Sequence, residues 1–122
     1  MRHELFISKW RPHLLNQSVG RHWSVKARHK RQDRAVVGTY AKLSGIPIAT
    51  MKRRVRLTFV QSGRQRRFDF DAPLKSLFDA LVCCGLLVDD GPDWCEFGGV
   101  EFVTGTREDW GTRVVLEDVG DA

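Results

Sequence analysis

The sequence predicts an α/β domain built on a single mixed β-sheet of about four to five strands with two helices packed on it. Three observations predict it. Apolar residues alternate with polar ones at Val55, Leu57 and Phe59 and, on one side, near Leu5, which marks extended, half-buried chain. Two other stretches repeat their apolar residues at helical spacing, around Val36 and around Leu77. The resulting order, β-α-β-α-β-β, lets the helices cover a sheet. The 122 residues show no internal repeat, low-complexity tract or linker, so 1–122 reads as one domain.

Taken in order, Leu5 and Ile7 alternate with polar neighbours on one side and give a short first strand. Residues 10–23 have no period and include Pro12, Asn16 and Gly20, so they read as a loop. A helix is predicted over residues 24–43, with Ser24 as N-cap and Gly45 and Pro47 as stop signals. Val36, Tyr40 and Leu43 are its expected buried stripe, and Lys26, Lys30 and Arg34 share another face. Val55, Leu57 and Phe59 alternate with Arg54, Arg56 and Thr58, a half-buried strand. Lys52, Arg53, Arg54 and Arg56 should therefore divide between its two faces. Residues 63–67 form a basic loop.

The second helix carries Pro73 in its first turn, where a missing N–H does no harm. Leu74, Leu77, Phe78 and Leu81 are the clearest helical period in the chain, and Gly85 ends it. Residues 86–88 read as a short strand leading into the turn Asp89-Asp90-Gly91-Pro92-Asp93. Two further strands, over about 95–104 and 112–117, flank a turn containing Gly105 and Gly111.

Charge is distributed unevenly. Residues 1–67 hold 17 of the 20 Lys and Arg with only Glu4 and Asp33 on the acidic side, and residues 68–122 hold thirteen acids against three bases. A basic half attracts phosphate; an acidic half does so only if its carboxylates hold a cation. The competing account is that the halves fold together and neutralise one another. No apolar run approaches the roughly 20 residues that a membrane span needs. Nor does an apolar secretion stretch follow Met1, so no membrane partner is expected and the protein is expected in the cytoplasm. Three cysteines, two of them adjacent, make no disulfide framework, and Cys83 and Cys84 are expected as buried helix-end thiols. His13, His22, His29 and Cys95 lack zinc spacing, and nothing points to an organic cofactor.

The chemistry centres on Asp69 and Asp71. At i and i+2 in extended chain their carboxylates leave on the same face. Two carboxylates sharing a site repel, and a divalent cation removes that cost. Lys75 stands four residues after Asp71, and Asp89-Asp90 lie where the chain can return beside the pair. Arg64, Arg66 and Arg67 precede the acids directly. Acids, a lysine and a basic groove are the parts of metal-assisted phosphodiester hydrolysis, in which Mg²⁺ polarises the phosphoryl oxygen and activates water.

The stretch Arg66-Arg67-Phe68-Asp69-Phe70-Asp71, then Lys75, Phe78-Asp79-Ala80-Leu81, Gly85 and Asp89-Asp90 resembles the RusA family of Holliday junction resolvases. These are small bacterial and prophage endonucleases. The close match covers residues 66–90, and the earlier half agrees loosely. The resemblance implies a RusA-like homodimer that binds four-way DNA junctions and uses Mg²⁺ to nick two opposed strands symmetrically, in recombination and repair. By position it makes Asp69, Asp71 and Asp90 the metal-binding carboxylates and Lys75 the essential lysine. Where the family usually has an asparagine after the second aspartate, Ala72 and Pro73 stand here, and Trp10-Arg11-Pro12-His13 replaces its proline-rich entry.

Other residues have bland alternatives. Lys26, Lys30, Arg31 and Arg34 can track phosphate backbone or form a solvated helix face. Lys75 and Asp79 can pair at i, i+4, in the poorer orientation. Asp89 can brace the turn rather than bind metal. Trp10, Trp23 and Trp94 can stack on bases, but aromatics in a small domain are usually core. The rival functions are a non-catalytic nucleic-acid-binding protein on the same scaffold, or a nuclease selective for flaps, forks or structured RNA.

Overall fold

A computed structural model describes residues 1–12, 23–62 and 73–119. Most of the expected loop over 10–23 and the basic loop over 63–67 lie outside the described residues. The elements are β1 (Arg2–Ser8), α1 (Trp23–Leu43), β2 (Arg53–Ser62), α2 (Leu74–Cys83), β3 (Cys95–Gly105) and β4 (Gly111–Asp118), in the order that the hydropathy pattern predicts.

The four strands form one mixed sheet in the order β1-β4-β2-β3. β4 pairs antiparallel with both β1 and β2, and β3 runs parallel to β2. A parallel pair cannot be closed by a tight turn. The crossover from β2 to β3 contains α2. β3 and β4 follow one another in sequence yet do not pair, because β2 lies between them.

Both helices cover one face. Leu5, Ile7, Val55, Leu57, Phe59, Val114 and Leu116 are buried on it and cluster with Val37 and Ala41 of α1 and Leu77, Ala80 and Leu81 of α2. Leu86 and Leu87 complete this core as an irregular turn, not the strand that their apolar run predicts. The chain has just left α2 through Gly85, at φ +79°, and among the described residues no strand pairs with it there. Gly85 and Gly45 play the same part. The amides of Gly45 and Ile46 reach back to Lys42 and Ala41, and those of Gly85 and Leu86 to Val82 and Leu81, a left-handed cap in each case.

The buried stripe of α1 departs from expectation. Asp33, Val37 and Ala41 are buried, Val36 and Tyr40 only flank them, and Leu43 is exposed. Small residues explain the rotation. Gly38 lets α1 approach until a Cβ there would stand 3.4 Å from Cys84 Sγ of α2. Periodicity weighted by large apolar side chains misses such a seam. At the other end of the helix, Trp23 begins α1 one residue ahead of the expected cap.

Within β3 the register slips by one residue. Val55 sits opposite Phe97 but Arg56 opposite Gly99, which leaves Gly98 as an extra residue in a bulge. Gly99 adopts φ +120°, a conformation that favours glycine.

Candidate functional site

Pro73 caps α2 in a helical conformation with no side-chain bond, and its carbonyl accepts the Leu77 amide. This start places Lys75 on the exposed side of the first turn, and Leu74 and Phe78 toward the edge strand β3. After α2 the chain turns through Asp89-Asp90. Asp89 Oδ1 accepts the Asp90 amide at 2.9 Å, so Asp89 braces the turn. The Gly91 carbonyl then accepts the amides of Trp94 and Cys95 and delivers the chain into β3.

These two segments enclose an open hollow of about 370 Å³ lined by Leu74, Lys75, Phe78, Asp90, Cys95 and Phe97. Lys75 and Asp90, fifteen residues apart in sequence, thus share one wall system. Phe78 and Phe97 meet edge to face with centroids 6.0 Å apart. Burial and the charge of Asp90 push the Cys95 thiol above its ordinary value, against an opposing pull from Lys52. Asp69, Asp71, Arg64, Arg66 and Arg67 lie outside the described residues. Among the described residues no three His, Cys, Asp or Glu side chains gather as a metal group. Asp90 is the one carboxylate in the described lining of the hollow, and Mg²⁺ is usually held by one or two carboxylates together with water and phosphate oxygens.

Lys75 and Asp79 form no ion pair among the described residues, in contrast to the i, i+4 expectation. Lys75 is left to face the hollow.

The four helix cations singled out from the sequence, Lys26, Lys30, Arg31 and Arg34, are all exposed, as is Arg28. None of the five makes an ion pair among the described residues. Every buried residue of α1 lies at or after Asp33. Asp33 accepts a hydrogen bond from Ser76 Oγ in the first turn of α2, and Gly38 approaches Cys84 at its far end. The turns of α1 before Asp33 thus continue beyond its contact with the first turn of α2, the turn that also carries Lys75. Asp33 ties α1 to the first turn of α2 from a buried position, a contact that sequence reasoning missed. Its signal was visible: it is the sole acid between Glu4 and Asp69.

The basic run of β2 divides between the faces as expected. Arg53, 2% exposed, donates to Asp118 Oδ1 at 2.8 Å and to the carbonyls of Leu86 and Pro47. Burial opposes ionisation of Asp118, but hydrogen bonds and charge from Arg53 and His3 outweigh it and hold that carboxyl below its ordinary value. Arg54 and Arg56 take the opposite face, paired with Glu96 and Glu117.

The remaining candidates separate. Trp10 packs on the core, whereas Trp23 and Trp94 are exposed. Cys83 is exposed rather than buried, because α2 turns that side outward, and Cys84 is half-buried with its thiol donating to the Arg34 carbonyl. The cysteines are unpaired. No described helix is long and apolar enough to cross a membrane. No protein-family model matches the chain, and no curated protein matches it either.

Proposed function

We propose that the protein is a Mg²⁺-dependent, structure-selective DNA endonuclease of the RusA type that resolves four-way junctions by paired nicks. The observation that carries this reading is the convergence of Lys75 and Asp90 on one hollow, at the end of α2 whose first turn touches α1, where Lys26, Arg28, Lys30, Arg31 and Arg34 are exposed and make no ion pair among the described residues. In it Asp69, Asp71 and Asp90 hold the ion. Asp71 stands two residues before Pro73, where the described chain enters the wall of the hollow. The hollow is open, which suits an ion that keeps several waters and takes only a few carboxylates. When bound, Mg²⁺ supplies polarisation of the phosphoryl oxygen and a more acidic attacking water. Lys75 offsets the charge that develops on the phosphate. Lys26, Lys30, Arg31 and Arg34, with Arg64, Arg66 and Arg67, hold the arms by their backbones. Paired nicks on a two-fold symmetric junction need two active sites related by the same operation, hence a homodimer.

The test uses the purified protein and a synthetic four-way junction, with and without Mg²⁺. Symmetric nicks that depend on the metal are expected. Asp69→Asn and Lys75→Ala should each abolish cutting yet leave junction binding. Normal cutting by Asp69→Asn would overturn the assignment. Binding without nicks, unchanged by Asp71→Asn, would make the protein a binding module, the outcome that Ala72 in the asparagine position favours. Nicks confined to flaps or forks would change the substrate.

A further inference from the structure

Phosphodiester hydrolysis accounts for Lys75 and Asp90, but it leaves the other side of the hollow unexplained. Leu74, Phe78 and Phe97 contribute an apolar wall that neither a metal ion nor a phosphate can use. Resting on the nuclease reading, we infer that this wall receives an unpaired nucleobase, stacked on Phe97, while Lys75 meets the phosphate of the same nucleotide.

Four features support this occupant. Phe97 is 47% exposed although it belongs to a sheet, because β3 is an edge strand. Its contact with Phe78 is edge to face at 73°, a geometry that cannot cover the faces of both rings and so leaves aromatic surface for a flat partner. The volume of about 370 Å³ is at the small end of ligand pockets, suited to one base and too small for duplex. A nucleotide also matches the wall in kind, since it joins a flat apolar ring to an anion one sugar away, as Phe97 is joined across the hollow to Lys75. In duplex the faces of a base are stacked and unavailable. Branched DNA lowers the cost of exposing one, because a base that is already unpaired has least to lose on extrusion.

Binding is measured without Mg²⁺ and with EDTA, by fluorescence anisotropy of a labelled short thymidine strand and of an abasic strand of equal length. Stacking one base on an aromatic side chain is worth ~1–3 kcal/mol, so the thymidine strand should bind on the order of five- to a hundredfold more tightly. Phe97→Ala should erase that preference, Phe97→Tyr should keep it, and Lys75→Ala should weaken both short strands alike, whereas the junction, held by many more cations, stays bound. Thermal melting of Phe97→Ala checks that the exposed position leaves the fold intact, and Phe97→Leu repeats the test with apolar bulk retained. The inference falls if wild type shows no preference or binds neither strand, or if Phe97→Ala and Phe97→Leu preserve the preference. It also falls if Phe97→Ala changes the oligomeric state and not the preference, because a second copy would then cover the wall. No cutting enters the measurement. A base preference in a protein that never nicks DNA would retain this inference and remove the nuclease, and the converse result would do the reverse.

Discussion

The open face of the sheet and the outer turns of α1 are both rich in arginine and lysine, yet they present opposite surfaces. On the sheet, Arg2, Arg54, Arg56 and Arg113 stand among Glu4, Glu96, Glu101 and Glu117, four charges of each sign on one face. Register makes the match: Arg54 lies directly opposite Glu117 on one side and Glu96 on the other, and pairs with both. Arg113 adds an ion pair to Glu4 and a position over the Phe6 ring. On α1, five cations have no acid within reach among the described residues, and the helix's one carboxylate, Asp33, turns inward to Ser76. Composition alone cannot distinguish these arginines. Strand pairing across the two halves of the chain neutralises one set, and a helix that outruns its core leaves the other available to an anion.

The largest expected effect belongs to the buried member of the sheet cations. Arg53→Ala removes the buried donor that Asp118 Oδ1 and two carbonyls share, and should cost about 3–5 kcal/mol in urea unfolding. The pH dependence follows from Asp118. Its folded pKa lies below the unfolded value, so its stabilisation is full above about pH 3.8 and is lost as pH falls through the lower folded value. Unfolding followed from pH 5 down to about pH 2 should therefore show a shallower acid decline for Asp118→Asn than for wild type. An equally steep decline would place the titrating group elsewhere.

Next comes the helix. Substituting Lys26, Lys30 and Arg34 together by Ala should change stability by no more than about 0.5 kcal/mol per site. Junction affinity should fall, and the slope of log K against log salt should flatten by about 0.9 for each phosphate that the helix no longer neutralises. The smallest effect is expected for Arg54→Ala with Arg56→Ala, about 0–1 kcal/mol per exposed pair and no change in salt slope. A salt slope that moved equally in both variants would erase the distinction between the two faces.

Much of the fold was legible because its signals are local. Alternation at Val55, Leu57 and Phe59, the Leu74-Leu77-Phe78-Leu81 period and the stops at Gly45 and Gly85 each settle one element without reference to the rest. Strand order was not legible, since the pairing of β4 with β1 and β2 depends on the meeting of distant segments. The stripe of α1 was not legible either, because close approach at Gly38 and a buried Asp33 leave no hydrophobic mark. That Lys75 and Asp90 line one hollow matches the sequence reading, in which residue type and spacing pointed to Lys75 and to Asp89-Asp90 together and the family resemblance alone chose Asp90. Phe78, Cys95 and Phe97 were not recognised as lining, because their meeting requires the β2-to-β3 crossover.

The extra glycine in β3 has a consequence for chain length. Phe97, Val100 and Phe102 are separated by three residues and then by two, a spacing that would send Phe97 to the far side of an unbroken strand. With Gly98 looped out, Phe97 opposite Val55 and Val100 opposite Leu57 point the same way. Deleting that single residue while the later half of β3 stays docked would swing Cys95 and Phe97 through the sheet and strip the hollow of one wall. Few point substitutions in the strand could do as much, so insertions and deletions, more than exchanges of side chain, are what this position must resist.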